Sequence, residues 1–164
     1  MTKIFISHKK EDSELANSIA YQLQRSGVGV YLDVLDSRLQ DNGEELSNYL
    51  QEKLSQCSHL LAVLSYNTRL SWWVPFEIGI ATEKQYPISS YITVGSKTDI
   101  PEYLWKWPVL RSSEDLQKYI FLLNKSSSLL LSEEKKHWQY SIKGTPKNYA
   151  DALHRRLKLN LGQP

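Results

Sequence analysis

The sequence has a single cysteine and four histidines, and it lacks the spacings that build several common kinds of site. Cys57 cannot form an internal disulfide or a cysteine-based zinc site, and no histidines show HExxH or HxH spacing. No run reaches the ~18 apolar residues that a membrane-spanning helix needs. The N-terminus opens with an apolar run and shows no signal-peptide pattern. We therefore expect a cytoplasmic protein that has no metal site, needs no cofactor and does not bind a membrane.

The charges are nearly balanced, with a net charge of +2 from 20 basic and 18 acidic residues. A dedicated nucleic-acid binder shows a concentrated basic face, so nucleic acid is not an expected partner. Hydrophobic residues make up 41% of the chain and charged residues 23%, which excludes a disordered or fibrous protein. The length of 164 residues suits one domain.

Motifs of several enzyme and signalling classes are missing as well. The chain has no GxGxxG, no GxxxxGK[ST] and no GxSxG, so the common phosphate-binding loops and the nucleophile elbow are absent. A response-regulator receiver domain would place acidic residues after its first strand and an aspartate after its third. Ser7, His8 and Ser65 stand at those positions, which argues against that class.

Short apolar runs alternate with segments of helical spacing along most of the chain. The runs predict strands at residues 3–7, 28–32, 59–64, 88–94 and 107–110, with helices between them. The third run is apolar on both faces, which is typical of a parallel sheet covered by helices on each side. The pattern predicts an α/β fold: an open parallel sheet of about five strands with helices on both faces.

The alternation stops near residue 125. Three serines at 126–128 are interpreted as a linker, and Thr145-Pro146 has the form of a helix start. One face of the helix that follows carries the apolar residues Tyr149, Leu153 and Leu157. We therefore divide the chain into a domain over 1–125 and a C-terminal helical extension over 126–164. The apolar stripe either packs on the domain or binds a partner.

Candidate functional residues concentrate in the segment 71–77, SWWVPFE, at the start of a predicted helix. Trp73 and Glu77 are four residues apart and share one helix face near the sheet edge where α/β folds bind ligands. An indole can stack on a flat ring, and a carboxylate can hold hydroxyls or stabilise a developing cation. The alternative interpretation places the tryptophan in the core and the glutamate in water.

Three segments, in this order, resemble those of TIR (Toll/interleukin-1 receptor) domains. Residues 4–12, IFISHKKED, resemble the family's opening strand motif, and residues 30–33, VYLD, its second strand and the start of the BB loop. Residues 71–79, SWWVPFEIG, resemble the helix that bears the family's catalytic glutamate. The resemblance covers roughly residues 1–125 and implies a flavodoxin-like fold.

For many bacterial and plant members, the resemblance also implies cleavage of the nicotinamide–ribose bond of NAD+. NAD+ would then be the substrate rather than a cofactor. By position, Glu77 would be the catalytic glutamate and Trp73 the tryptophan of the WxxxE pattern. The products would be nicotinamide and either ADP-ribose or a cyclic ADP-ribose isomer.

The same resemblance implies which residues border the substrate. Ser7, His8 and Lys9 would lie beside the nucleotide, and Asp33 with its loop would form the opposite lip. Read from the residues alone, His8 could equally be a loop histidine satisfied by the protein. Lys9 could be solvated, and Asp33 could cap the next turn.

A nearly bare TIR domain is similar to the signal-producing TIR proteins of antiphage defence, such as the Thoeris type. There, a nucleotide product activates a separate effector protein. The resemblance further implies self-association through TIR–TIR contacts. The alternative function is a non-enzymatic adaptor or scaffold that acts through those contacts alone.

Overall fold

The computed structural model describes residues 2–32, 43–93, 101–129 and 146–164. The strands are β1 Lys3–Ser7, β2 Gly29–Leu32, β3 His59–Leu64, β4 Ile88–Ile92 and β5 Val109–Leu110. They form one sheet in the order β2-β1-β3-β4-β5, and all neighbouring strands are parallel. The predicted open parallel sheet is confirmed, and the carboxyl ends of its strands meet at one edge.

The α-helices in the described ranges are α1 Ser13–Arg25, α2 Gly43–Ser55, α3 Trp73–Glu83, α4 Ser113–Leu129 and α5 Pro146–Asn160. Helix α4 runs through the serines at 126–128, so the prediction of a linker there is wrong. Serine costs a helix well under ~1 kcal/mol per residue, and the helix continues across all three. No helix in these ranges is long and apolar enough to cross a bilayer.

The sheet separates two apolar layers because successive strand residues point to opposite faces. Helices α1, α4 and α5 cover one face, and α2 and α3 cover the other. The first layer receives Ile4, Ile6, Leu61 and Val63 of the central strands, and the second receives Phe5, Leu60, Ala62 and Leu64. Strand β3 is buried along its whole length, as its continuous apolar run predicted.

Helix α5 packs on the domain through its apolar stripe. Leu153 and Leu157 are buried in the layer with α1 and α4, and Tyr149 packs against that layer. Beyond the helix, Gln163 pairs its side-chain amide with both backbone groups of Val109 on the edge strand β5. An edge strand otherwise presents such groups to other chains, so the tail covers this edge of the sheet.

A chain of hydrogen bonds joins α5 to the amino ends of β1 and β3. The hydroxyl of Ser58 donates to the carbonyl of Lys3 (3.2 Å), which leaves Nδ1 of His59 to donate to Ser58 Oγ (2.8 Å). Nε2 of His59 then accepts from the hydroxyl of Tyr149 (3.3 Å). Burial lowers the pKa of His59 to about 3, so the ring is neutral at pH 7.

A second histidine fixes α5 to β4. Nε2 of His154 accepts from the backbone N–H of Ile88 (2.8 Å). Burial lowers the pKa of His154 to about 4, and the charges of Lys106 and Lys158 lower it further while Asp151 opposes them. Protonation would place a donor against the Ile88 N–H, so this contact requires the neutral ring.

These two histidines predict a loss of stability in mild acid. An unfolded histidine has a pKa of about 6.5. Below that pH, the unfolded state therefore binds protons that the folded state does not bind. The contribution of the two histidines to the free energy of unfolding is complete above pH ~6.5. It is lost as the pH falls toward their pKa values in the folded state. From pH 7 to pH 5, each histidine should lower the free energy of unfolding by about 2 kcal/mol.

Urea unfolding at pH 7, 6 and 5 measures this loss, with His154→Gln as the matched variant. Glutamine keeps an acceptor for the Ile88 N–H but does not titrate, so about half of the pH dependence should disappear. A free energy of unfolding that stays constant across this range would contradict the expectation.

Candidate active site

The N-terminus of α3 lies at the carboxyl edge of the sheet because α3 returns antiparallel to β3. Ser71 Oγ accepts from the backbone N–H of Val74 (3.3 Å), which satisfies a donor of the first turn. Pro75 is the third helical residue, where its missing N–H breaks no helical hydrogen bond. The predicted helix start near Ser71 is therefore confirmed.

Glu77 lies on the buried face of α3, together with Val74, Ile78 and Ala81. It is 1% exposed, whereas Trp73, one turn earlier, is 36% exposed and meets Phe76 edge to face at 6.0 Å. The structure thus reverses the alternative interpretation: the carboxyl group is inside and the indole reaches the surface. Glutamate is rarely this buried, because removing a carboxylate from water is costly.

The sheet beneath α2 and α3 carries a row of small side chains at the end of β1. Ser7, Ala62 and Ser90 are direct neighbours on β1, β3 and β4, and each is fully buried. Neither Ser7 Oγ nor Ser90 Oγ has a hydrogen-bond partner among the described residues. Ala62 is two residues, or about 6.6 Å, from the end of β3, and Glu77 is about 6 Å along α3 from its first residue. Ser7 and Ser90 therefore place two buried hydroxyl groups near the carboxyl ends of β1 and β4.

His8 and Lys9 occupy the loop at the carboxyl end of β1, and both contact nearby residues between β1 and the start of α1. Nδ1 of His8 is 3.5 Å from the carbonyl of Ile6, and its Nε2 is 3.3 Å from Ser13 Oγ. Lys9 Nζ is 3.2 Å from Oε1 of Glu11. The structure brings both residues to the predicted edge, and their roles toward a substrate stay predictions.

Asp33 lies outside the described residues, as do the next nine positions of its predicted loop. Its assignment to the opposite lip of the site stays a prediction. Strand β2 ends at Leu32, so the chain reaches that segment from the same carboxyl edge.

Asp12 is a further residue of this edge, and its hydrogen bonds differ from those that its place before a helix predicts. Its position before α1 predicts a capping side chain, but the carboxylate makes no capping hydrogen bond. It accepts instead from Ser65 Oγ (2.7 Å), Asn67 Nδ2 (3.2 Å) and Thr68 Oγ1 (3.3 Å) in the loop after β3. The only sequence signal was the cluster of polar residues directly after that strand.

A cavity of about 230 Å³ lies at the opposite end of the sheet, beside the first residue of β4. Tyr86, Lys106, Trp107 and His154 are among its lining residues, and none of the predicted site residues lines it. It is also smaller than the ~300–1,000 Å³ of most small-molecule sites. Over the described ranges, no three His, Cys, Asp or Glu side chains are grouped to hold a metal ion.

The three sequence segments and the strand order agree with one known family. The family model of the TIR domain matches residues 4–127, about three quarters of the chain. The chain belongs to the TIR domain family.

A curated relative of this TIR domain is the probable 3' cyclic ADP-D-ribose synthase ThsB' of Bacillus cereus (strain MSX-D12). The two are 28% identical in an alignment of 79 residues, which covers 46% of this chain and 41% of the relative. The match therefore spans less than half of the relative's length.

A solved TIR domain shares the fold of this chain. The TIR domain of the Toll-related receptor TRR-2 from Hydra magnipapillata has a TM-score of 0.57 at 14% identity, covering 76% of this chain and 95% of that chain. The TIR domains of the activated Roq1 resistosome, which recognises the pathogen effector XopQ, give a TM-score of 0.48 at 15% identity over 96% and 84% of the two chains. The first likeness confirms the α/β fold.

Proposed function

We propose that this TIR domain cleaves the nicotinamide–ribose bond of NAD+ and that Glu77 is its catalytic carboxylate. The observation that carries the proposal is the burial of Glu77 on α3, one turn from the edge where α/β sheets bind ligands. The relative named as a cyclic ADP-ribose synthase supports the same chemistry.

The reaction suits a single buried carboxylate. When the bond between ribose C1′ and the pyridinium nitrogen breaks, the electron pair leaves with nicotinamide, which becomes neutral. No general acid is needed to protonate this leaving group. Positive charge develops on the ribose, and a fixed carboxylate stabilises that charge more strongly in the transition state than in the bound substrate.

The nucleophile that takes C1′ decides the product. Water gives ADP-ribose and releases a proton, whereas an atom of the same molecule, such as an adenine nitrogen, gives a cyclic isomer. In this proposal Glu77 orients the ribose hydroxyls and Trp73 stacks on a flat ring of the substrate. Ser7, His8 and Lys9 border the nucleotide from β1 and its loop.

We place the product in signalling, as a nucleotide that activates a separate effector protein in antiphage defence. Self-association of TIR domains would complete the site, with the loop after β2 of one copy meeting its neighbour. Turnover would then rise with protein concentration more steeply than in direct proportion.

A scaffold role is the second candidate function. Trp72 is 88% exposed, and Tyr66 and Phe76 are further exposed aromatic side chains near the start of α3. Exposed apolar patches of this kind commonly mark protein contacts. A scaffold would use this surface without needing the buried Glu77.

Mass spectrometry of the products separates the two candidates. Purified protein, in monomeric and self-associated fractions, is incubated with NAD+, and the products are resolved by liquid chromatography. We expect one nicotinamide for each ADP-ribose or for each cyclic product, which is lighter than ADP-ribose by one water. Failure of both fractions to release nicotinamide would contradict the enzyme and favour the scaffold.

A further inference from the structure

Two loops of the candidate site leave the centre of the sheet side by side. The loop after β1 carries His8 and Lys9, and the loop after β3 leads to Trp73 and Glu77 on α3. In the order β2-β1-β3-β4-β5, the chain turns to opposite sides after β1 and after β3. Such a switch point opens a crevice between two loops, and nothing in the sheet itself joins them there.

Asp12 spans this crevice. Its side chain comes from the end of the β1 loop, is 7% exposed, and accepts three hydrogen bonds from the β3 loop. Oδ2 accepts from Ser65 Oγ and Thr68 Oγ1, and Oδ1 accepts from Asn67 Nδ2. Hydrogen bonds to a charged acceptor are about twice as strong as those between neutral groups.

The same two hydroxyls also shape the β3 loop. Ser65 Oγ accepts from the backbone N–H of Asn67 (2.9 Å), and Thr68 Oγ1 accepts from the backbone N–H of Ser65 (3.0 Å). Because each hydroxyl proton points at Asp12, each oxygen is turned toward a backbone donor. Without the carboxylate, the Thr68 hydroxyl could donate to the carbonyl of Val63 at 3.4 Å instead.

We propose that Asp12 is a positioning residue for NAD+ cleavage, holding the β1 loop and the β3–α3 loop together as one rigid site across the switch point. This inference rests on the proposed function. Asp12 acts through Glu77 and the substrate-bordering residues rather than on the substrate. Catalysis is sensitive to such placement, since a shift of about 1 Å can lower a rate ~100-fold.

Kinetics of Asp12→Ala and Asp12→Asn test the proposal. Alanine removes both acceptor oxygens and with them all three hydrogen bonds, so kcat for nicotinamide release should fall about 10–100-fold while KM for NAD+ changes less than about 3-fold. Asparagine keeps one carbonyl oxygen, and the Asn67 amide can turn its own oxygen toward the new NH2, so most of kcat should return. Glu14→Ala, which removes an exposed carboxylate in the first turn of α1, is the matched control and should leave both constants unchanged.

Exchanging the carboxylate of Asp12 and the amide of Asn67 gives a second test, which does not require the alanine variant to fold. Asn67→Asp alone places two carboxylates face to face and should lower kcat by about 10-fold or more. Combining it with Asp12→Asn restores one amide and one carboxylate and should restore kcat. A folded Asp12→Ala variant with unchanged kcat, or a double variant no better than Asn67→Asp, would overturn the proposal.

Amide hydrogen exchange tests the contact without using activity. In Asp12→Ala, or in Asn67→Asp where alanine prevents folding, the N–H groups of Ser65 and Asn67 should exchange at least about 10-fold faster, while those of α4 keep their protection. Unchanged exchange at both loop amides would refute the positioning role. If wild type releases no nicotinamide, the proposed function fails, and the exchange result still decides whether Asp12 holds the two loops.

Discussion

Replacing Glu77 by glutamine is expected to lower the rate of nicotinamide release about 10³-fold at saturating NAD+. The amide keeps the size and shape of the side chain but removes the negative charge that stabilises the developing ribosyl cation. Because the charge acts mainly in the transition state, KM should change little. Steady-state kinetics measured by chromatography of nicotinamide gives both constants.

The same variant should fold at least as well as wild type. Glu77 is 1% exposed, and a neutral amide costs less to remove from water than a carboxylate. Thermal unfolding should therefore show an unchanged or higher midpoint, as expected where a site sacrifices stability for function. Glu83→Gln, at the exposed end of the same helix, is the matched control for both measurements. Equal turnover by Glu77→Gln would remove Glu77 from its assigned role.

Removing α5 should abolish the folded state. A chain that ends at residue 129 would leave the α1–α4 layer without Leu153 and Leu157 and the edge strand β5 without Gln163. Deleting the side chain of one buried leucine costs about 2–5 kcal/mol, and a whole domain is stable by only about 5–15 kcal/mol. We expect the truncated chain to lose its near-ultraviolet circular dichroism and its cooperative thermal transition.

A pair of leucines in α5 gives a finer form of this test. Leu157 is fully buried, and Leu159, two residues on, is 72% exposed. Leu157→Ala should lower the free energy of unfolding by about 2–5 kcal/mol, and Leu159→Ala should change it by less than about 0.5 kcal/mol. A truncated chain that unfolds cooperatively at the wild-type midpoint would contradict this account. It would also make the predicted boundary at residue 125 the edge of an independent unit.

The elements that sequence predicted well are those with a strong local period. The run HLLAVL of β3 has no polar face, so it fits only the covered middle of a parallel sheet. The stripe of Tyr149, Leu153 and Leu157 repeats every four residues and packs on the domain, which is the first of its two predicted alternatives. Hydrophobic burial is the largest favourable term in folding, and it acts on these patterns directly.

The spacing of Trp73 and Glu77 predicted that they share one helix face, but not which of the two residues would be buried. Depth along the helix decides this point. Trp73 is the first residue of α3, at the rim of the sheet, and Glu77 is one turn further over the strands. Local spacing holds no information about where a helix crosses the edge of its sheet.

Asp12 shows a different limit of local patterns. A short polar residue before a helix is a good capping signal, yet its carboxylate bonds to residues 53, 55 and 56 positions later in the chain. Those partners become neighbours only because β1 and β3 pair in the centre of the sheet. Local sequence patterns could therefore not predict contacts that depend on the order of the strands in the sheet.

The structure of the Glu77→Gln variant with bound NAD+ tests the central claim most directly. The slow variant should retain uncleaved substrate at the carboxyl edge between β1 and β3. The account predicts the side chain at position 77 within hydrogen-bonding reach of the nicotinamide ribose, about 3 Å from one of its hydroxyls. NAD+ bound in the cavity beside His154, or bound with its scissile ribose beyond reach of position 77, would contradict it.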